Sequence, residues 1–269
     1  MIRFSGHGGA ILLLLALLFF RCQSSSHPPT RVEGDSLVNM VEQQIEEKKR
    51  RQQEIDDFRR RYLPPNFSQQ IQKYLPRIRK YAKWYGLDWR LVVAQILKES
   101  YFKEDARSHM GAIGLMQIMP KTAKEITREL DIAYITKDPR ENITAGIYHL
   151  YKQLQYFPNA NPDNRIKLAL AAYNSGPARI FDAQDIARFK RLDPNTWEAV
   201  RECLPLLSPE HWKLHLEVWE QGIPTYGYFY GFGQTVDYVD DIMKKYDIIR
   251  HMFTIDLDNI TLEAANANM

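Results

Sequence analysis

Proline, glycine and aspartate divide most of this chain into segments of helical length. Asp138 precedes Pro139, which pairs an N-cap residue with a proline at the first helical position, and Gly176-Pro177 ends the segment before the next helix. Between these boundaries apolar residues recur at helical spacing, and no alternating apolar–polar run is long enough for a useful strand. The chain is therefore predicted to be all-α.

The helical patterns also give approximate boundaries. Residues 111–120 contain two glycines that break the helical period, so an irregular loop or a short strand is expected there. Asp163 is expected to start a helix, and Pro120 another. Helices are predicted over 35–62, 68–85, 89–99, 120–130, from 139, from 163, and over 178–189, 194–204, 209–220 and 235–251.

The first 26 residues predict export. The apolar run at 10–20 is shorter than the roughly 20 residues that span a bilayer, and it fits the core of an export signal. Cys22 and a serine-rich stretch follow, as in bacterial lipoprotein signals, but bulky residues replace the small ones expected before the cysteine. Two alternatives stay open: acylation of Cys22, or an uncleaved signal that anchors the chain. Both predict an exported protein of the periplasm or cell envelope, associated with the membrane.

A charged helix separates this signal from the rest of the chain. Between residues 27 and 66 eight acidic and eight basic residues balance, which is typical of a solvated helix with ion pairs along its face. We interpret 27–66 as a tether and stalk helix. A single domain over 67–258 and a polar, flexible tail over 259–269 complete the predicted organisation.

Composition excludes several classes of function. A net charge of +3, without a dense basic stripe and interleaved aromatics, argues against nucleic acid as a partner. Weak basicity permits an anionic partner such as a cell-wall polymer or lipid. The two cysteines and scattered histidines have no metal-ligand spacing, so neither a metal nor another cofactor is expected.

Glu99 is the strongest candidate for a catalytic residue. It ends a predicted helix that Asp88 caps, and it shares a face with Val92 and Ile96. Partial desolvation and the negative end of the helix dipole both disfavour a carboxylate there, which would raise its pKa and make it a general acid. The alternative is that Glu99 ends the helix and turns to water, as most glutamates do.

Four short motifs occur together in a characteristic order. They are Glu99-Ser-Tyr-Phe, Gly114-Leu-Met-Gln, Ala172-Tyr-Asn-Ser-Gly-Pro, and Tyr226-Gly-Tyr with Gln234-Thr-Val-Asp-Tyr-Val. Over about residues 70–246 the chain resembles the soluble-lytic-transglycosylase-like (SLT-like) catalytic domain of bacterial peptidoglycan lyases, which shares its lysozyme-like fold with goose-type lysozyme. The segment 192–228 is most similar to the membrane-bound lytic transglycosylase F subgroup. The stalk helix stands in the position of that subgroup's amino-terminal solute-binding domain.

The resemblance implies a lysozyme-like helical fold with minimal β structure and a reaction on peptidoglycan glycan strands. Glu99 would protonate the glycosidic oxygen between N-acetylmuramic acid and N-acetylglucosamine, then act as base toward the 6-hydroxyl of the same muramic residue. One carboxyl would serve both steps and yield a 1,6-anhydro product. Glu104 and Asp105 are the nearest acids in sequence, and we interpret them as solvated loop residues.

Tyr173 matches the family tyrosine whose hydroxyl orients the catalytic carboxyl. Its alternative is a core aromatic with a satisfied hydroxyl. The substrate-binding residues implied by the resemblance are Ser100, Met116, Gln117, Tyr173, Asn174 and Tyr238. Ser100 has helix-end capping as its alternative role, and Gln117 an ordinary loop position. Met116 fits core packing equally well, and Asn174 fits a backbone hydrogen bond at a helix end.

Two features lie in the last part of the segment that resembles the family: Gln234 and the aromatic run at 226–232. Gln234 stands where the family usually has an acid, which removes a charge near the expected cleft. The aromatic run at 226–232 is expected either to stack on sugar rings or to pack under the cleft.

Two other functions fit the same sequence. A goose-type-like muramidase would admit water and leave a reducing end instead of the anhydro sugar. A non-catalytic envelope protein would bind peptidoglycan through the same cleft but would not cleave it.

Overall fold

The computed structural model describes residues 31–267, with side chains described for 37–253. Over these residues the fold is helical and contains no strand, which confirms the all-α prediction. The helices are α1 (Arg31–Tyr62), α2 (Phe67–Trp84), α3 (Trp89–Glu99), α4 (Pro120–Leu130), α5 (Pro139–Gln155), α6 (Pro162–Ser175), α7 (Pro177–Phe189), α8 (Trp197–Cys203), α9 (Trp212–Val218) and α10 (Phe232–Ala267), with 3₁₀ turns at Leu204–Leu207 and Pro209–His211.

Capping residues start the helices largely where the sequence places them. The Asp138 side chain accepts a hydrogen bond from the Arg140 backbone N–H at the start of α5, and Pro139 occupies the first turn. Helix α6 starts earlier than predicted, because Asn161 and not Asp163 is the N-cap and accepts from the Asn164 backbone N–H. The loop at 107–118 contains only isolated β-bridges, as its two glycines predict.

The described residues divide into two units, with the boundary between Glu54 and Ile55. In the described part of the first unit, α1 is a solvated helix with ion pairs one turn apart, such as Lys49 with Glu46 at 2.7 Å. The second unit includes the last two turns of α1, where Ile55 and Phe58 are buried, so it begins before the predicted boundary at 67.

Helix α3 is buried in the second unit along most of its length, from Leu91 to Leu97. It packs against α10 and α2, while α6 packs against α5, α7 and α10. Helix α10 extends to Ala267 and so covers most of the segment predicted as a flexible tail. The predicted export signal and Cys22 lie outside the described residues, and no described helix combines the length and apolarity needed to cross a bilayer.

Candidate active site

Glu99 is the last residue of α3 and lies at a cleft of about 700 Å³. Asp88 caps the start of this helix through the Arg90 backbone N–H at 2.9 Å, and Val92 and Ile96 are fully buried. This packing fixes the end of α3 and leaves the Glu99 side chain half-buried at the cleft rather than turned to bulk water. The volume is in the range of ligand-binding pockets.

The environment of Glu99 favours its protonated form. Burial raises the pKa of Glu99 to about 7, and this effect outweighs the hydrogen bond from Tyr238 and the charge of Lys98, which both lower it. A carboxyl with this pKa carries a proton in a substantial fraction of molecules at neutral pH and ionises easily after donating it. Both states that acid–base catalysis requires are therefore accessible.

A buried tyrosine orients the Glu99 carboxyl. The Tyr238 hydroxyl donates to Glu99 Oε1 at 2.5 Å and accepts from Gln95 Nε2 at 3.0 Å. Tyr238 is 3% exposed, and it reaches α3 because α10 packs along that helix. Its predicted role in binding substrate is therefore corrected: it contacts the Glu99 carboxyl from within the core.

Tyr173 occupies a different position from the one the resemblance implies. Its hydroxyl donates to the Met116 carbonyl oxygen at 2.7 Å, and its ring meets His149 edge-on. Burial, aided by the nearby Glu99, raises the pKa of Tyr173 well above its usual range, so the hydroxyl remains a donor. In this structure Tyr173 holds the loop beside Glu99 rather than the carboxyl itself.

Ser100 and Gln117, two of the residues for which sugar binding is predicted, both line the cleft with Glu99. The Ser100 hydroxyl donates to the Leu115 carbonyl oxygen at 2.9 Å, which ties the end of α3 to the following loop. Gln117 has a left-handed backbone (φ 47°), and its amide nitrogen donates to the Gly114 carbonyl oxygen at 2.9 Å. This leaves the Gln117 amide oxygen available as an acceptor.

Two other predicted binding residues do not line the cleft. The Met116 side chain is fully buried against Gly146, so its alternative as a core residue is correct. Asn174 is exposed, and its side-chain oxygen accepts from the Thr235 hydroxyl at 3.0 Å, joining α6 to α10. The structure thus brings Glu99, Ser100 and Gln117 together at one surface.

Asn142 is a structural residue of the site that the sequence did not indicate. Its buried amide accepts from the Met116 backbone N–H at 2.8 Å and donates to the Ile113 and Ile135 carbonyl oxygens. Gly114 lies so close that an added Cβ would be 2.5 Å from the Asn142 amide nitrogen, and its φ of 84° also requires glycine. Asn142 therefore holds the loop that carries Gln117 together with Tyr173, which bonds the same loop at Met116.

We expect Asn142→Ala to lower the free energy of unfolding by about 2–4 kcal/mol, because it leaves buried backbone groups without partners. Chemical denaturation measures this change. Asn159→Ala, at an exposed position, is the matched control and should stay within about 0.5 kcal/mol of the wild-type protein. Equal stability of the two variants would contradict the role assigned to Asn142.

The cleft is also lined by residues that no sequence pattern indicated. Tyr62, the last residue of α1, lines it, and the Lys245 ammonium lies 5.0 Å from the centroid of the Tyr62 ring. Asp241 pairs with Lys98 at 3.0 Å and with Lys245. Burial opposes ionisation of Asp241, but the hydrogen bonds from Lys245 and Lys98 outweigh it and lower its pKa. Asp241 is therefore a fixed anion.

The aromatic run at 226–232 does not line the cleft. Tyr226 and Tyr230 are exposed outside the cleft. The Tyr228 ring packs on the buried His215 ring, with centroids 5.8 Å apart. Gln234, at the position where an acid was expected, is exposed on α10. Neither feature contributes a side chain to the Glu99 cleft in this structure.

Comparison with known proteins finds relatives over the part of the chain that contains Glu99. The transglycosylase SLT domain family matches residues 76–195. Membrane-bound lytic murein transglycosylase F of Desulfosudis oleivorans is 37% identical over 68% of this chain and 38% of its own length. The protein of the same name from Shewanella pealeana is 33% identical over 73% of this chain and 37% of its own.

Among solved structures, an inactive mutant of the lytic transglycosylase Slt from Pseudomonas aeruginosa is 27% identical, with a TM-score of 0.46, over 74% of this chain and 26% of that one. The chain spans less than two fifths of the length of the curated relatives that it matches.

Proposed function

Because residues 76–195 of this chain belong to the transglycosylase SLT domain family, we propose that it is a lytic transglycosylase acting on the glycan strands of bacterial peptidoglycan. One observation carries the proposal: Glu99, whose pKa is about 7, lies in a cleft with Ser100 and Gln117. The relatives over the same region are named lytic murein transglycosylases, which supports the same substrate.

Glu99 performs both proton transfers of the proposed reaction. It gives its proton to the glycosidic oxygen as the bond from that oxygen to C1 of N-acetylmuramic acid breaks. The 6-hydroxyl oxygen of the same sugar then bonds to C1 and loses its proton to Glu99, which restores the acid. The nucleophile belongs to the substrate, so proximity replaces a second enzyme carboxylate.

The charges around the cleft support a mechanism with one carboxyl. Asp241 is the other acidic residue lining the cleft in the described part of the chain, and Lys98 and Lys245 both neutralise it. A carboxylate held by two ammonium groups is a poor base for activating water, as the second carboxylate of an inverting glycosidase must do.

Two polar residues beside Glu99 would position the sugar. The free amide oxygen of Gln117 can accept a hydrogen bond from an acetamido N–H, and the Ser100 hydroxyl oxygen can accept from a sugar hydroxyl while it donates to Leu115. Tyr238 keeps the carboxyl aimed at the glycosidic oxygen.

We place this activity in the cell envelope. The apolar run at 10–20 followed by Cys22 supports export and membrane association, and the relatives carry the description membrane-bound. The mass of the mature N-terminus distinguishes the two forms of anchoring, since a free Cys22 thiol on an intact chain would exclude acylation.

The products released from purified sacculi test the proposed reaction. We expect muropeptides ending in 1,6-anhydro-N-acetylmuramic acid, which mass spectrometry identifies because they are lighter by one water than the hydrolysed products. Reducing ends in their place would identify a muramidase. Binding to sacculi without any release would identify a non-catalytic binding protein.

A further inference from the structure

The lining of the Glu99 cleft carries an excess of positive charge. Four of its residues are basic: Lys98, Lys103, Arg107 and Lys245. Asp241, the one fixed anion of the lining, pairs with Lys98 and Lys245. It is therefore not the ion-pair partner of the other two basic residues. Among the described side chains no carboxylate forms an ion pair with Lys103 or Arg107, and both are exposed at the cleft.

These two cations project from a loop whose backbone is fixed. Directly after α3, Tyr101 and Phe102 both have left-handed backbones (φ 55° and 60°), a conformation that non-glycine residues rarely adopt. The buried Phe102 ring packs edge-on against Phe67 with centroids 5.6 Å apart. Farther along, the Arg107 backbone forms a β-bridge with Ile113. The loop therefore presents Lys103 and Arg107 at a defined edge of the cleft.

The proposed substrate has one part that matches this charge. Its N-acetylated sugar rings are uncharged, whereas the stem peptides on the lactyl groups of muramic acid carry free carboxylates. We propose that Lys103 and Arg107 form a cationic rim that binds the carboxylates of stem peptides. This proposal rests on the proposed function. The cleft consequently prefers peptide-bearing glycan to glycan stripped of its peptides.

The test compares two substrates of matched chain length. One is soluble peptide-bearing glycan strands. The other is the same strands after an amidase has removed the peptides and the lactyl carboxylates that this frees have been converted to uncharged methylamides; these are the stripped strands. For Lys103→Gln combined with Arg107→Gln, we expect kcat/KM on peptide-bearing strands to fall about fivefold to twentyfold, through KM, and to become less sensitive to salt. On stripped strands this variant should match the wild-type protein.

A charge-matched control separates the rim from overall charge. Lys121→Gln combined with Lys124→Gln removes two exposed positive charges from α4, outside the cleft, and should retain the preference of the wild-type protein. The proposal is overturned if the rim variant loses activity equally on both substrates, or if it loses none. Thermal midpoints of the variants identify any loss that arises from unfolding.

Binding measurements keep this test independent of turnover. In a Glu99→Gln background, the affinities for peptide-bearing and stripped strands are compared with and without the two rim substitutions. If the wild-type protein releases no anhydro product, the proposed function fails, but the binding preference still decides the role of the rim. A preference for peptide-bearing strands that disappears with the two cations supports the rim, and equal affinity for both strands overturns it.

Discussion

Replacing Glu99 by glutamine is expected to lower the release of 1,6-anhydro products from purified sacculi by at least about a thousandfold. Glutamine has nearly the same shape and can still accept the hydrogen bond from Tyr238, so the fold and the cleft should persist. It can neither donate an acidic proton to the glycosidic oxygen nor accept one from the 6-hydroxyl. Both steps of the proposed reaction are therefore lost together. Quantitative mass spectrometry of the released muropeptides measures the effect.

Glu104→Gln is the matched control for this experiment. Glu104 follows Glu99 closely in sequence, but its carboxylate pairs with Lys73 at 2.7 Å and does not line the Glu99 cleft. We expect this variant to keep nearly all activity. An active Glu99→Gln protein would refute the assignment of Glu99, and circular dichroism together with binding to sacculi would establish that an inactive one is folded.

The helical framework was predictable because its signals are local. Asp88 and Asp138 cap helices through backbone N–H groups only two residues away, so a short stretch of sequence is enough to recognise them. The spacing of Val92 and Ile96 placed Glu99 on the buried face of α3, and desolvation there produces the pKa shift that the sequence suggested. Ser100 and Gln117 also reach the cleft as the motifs imply.

The partners of Glu99 were harder to predict because they depend on tertiary packing. The sequence offered two tyrosines, and it assigned carboxyl orientation to Tyr173 and substrate contact to Tyr238. The packing of α10 on α3 places the Tyr238 hydroxyl on Glu99, while Tyr173 reaches the Met116 carbonyl oxygen instead. Residue type and order cannot distinguish these arrangements, since either tyrosine can donate a hydrogen bond through its hydroxyl.

No sequence pattern indicated that Asp241, Lys245 and Tyr62 line the cleft. Asp241 and Lys245 are four residues apart on α10, a spacing that usually indicates an ion pair on a solvated helix surface. Tyr62 belongs to the charged helix interpreted as a stalk, yet the last two turns of α1 fold into the second unit. Only the packed structure assigns these residues to the site.

Removing the hydrogen bond between Tyr238 and Glu99 is expected to change both the rate of the proposed reaction and its pH dependence. We expect Tyr238→Phe to lower kcat about tenfold to a hundredfold and to move the alkaline limb of the pH–rate profile to higher pH. The tyrosine hydrogen bond lowers the pKa of Glu99, so its loss raises that pKa further and keeps the acid protonated to higher pH. The rate falls nevertheless, because the carboxyl loses its orientation and the anion formed after proton donation loses its donor. Rates on sacculi measured across pH 5–9 test both effects.

Tyr246→Phe is a closely matched control on the same helix. The Tyr246 hydroxyl donates to Asp88 Oδ2 at 2.9 Å, so this substitution removes the same type of tyrosine–carboxylate bond away from the cleft. A purely structural role for such bonds would make the two variants alike in stability and in pH dependence. A shifted alkaline limb in Tyr238→Phe alone would instead identify Tyr238 as a positioning residue that acts through Glu99. A limb moved to lower pH would contradict it, because that direction requires the lost hydrogen bond to have stabilised the protonated acid rather than the anion.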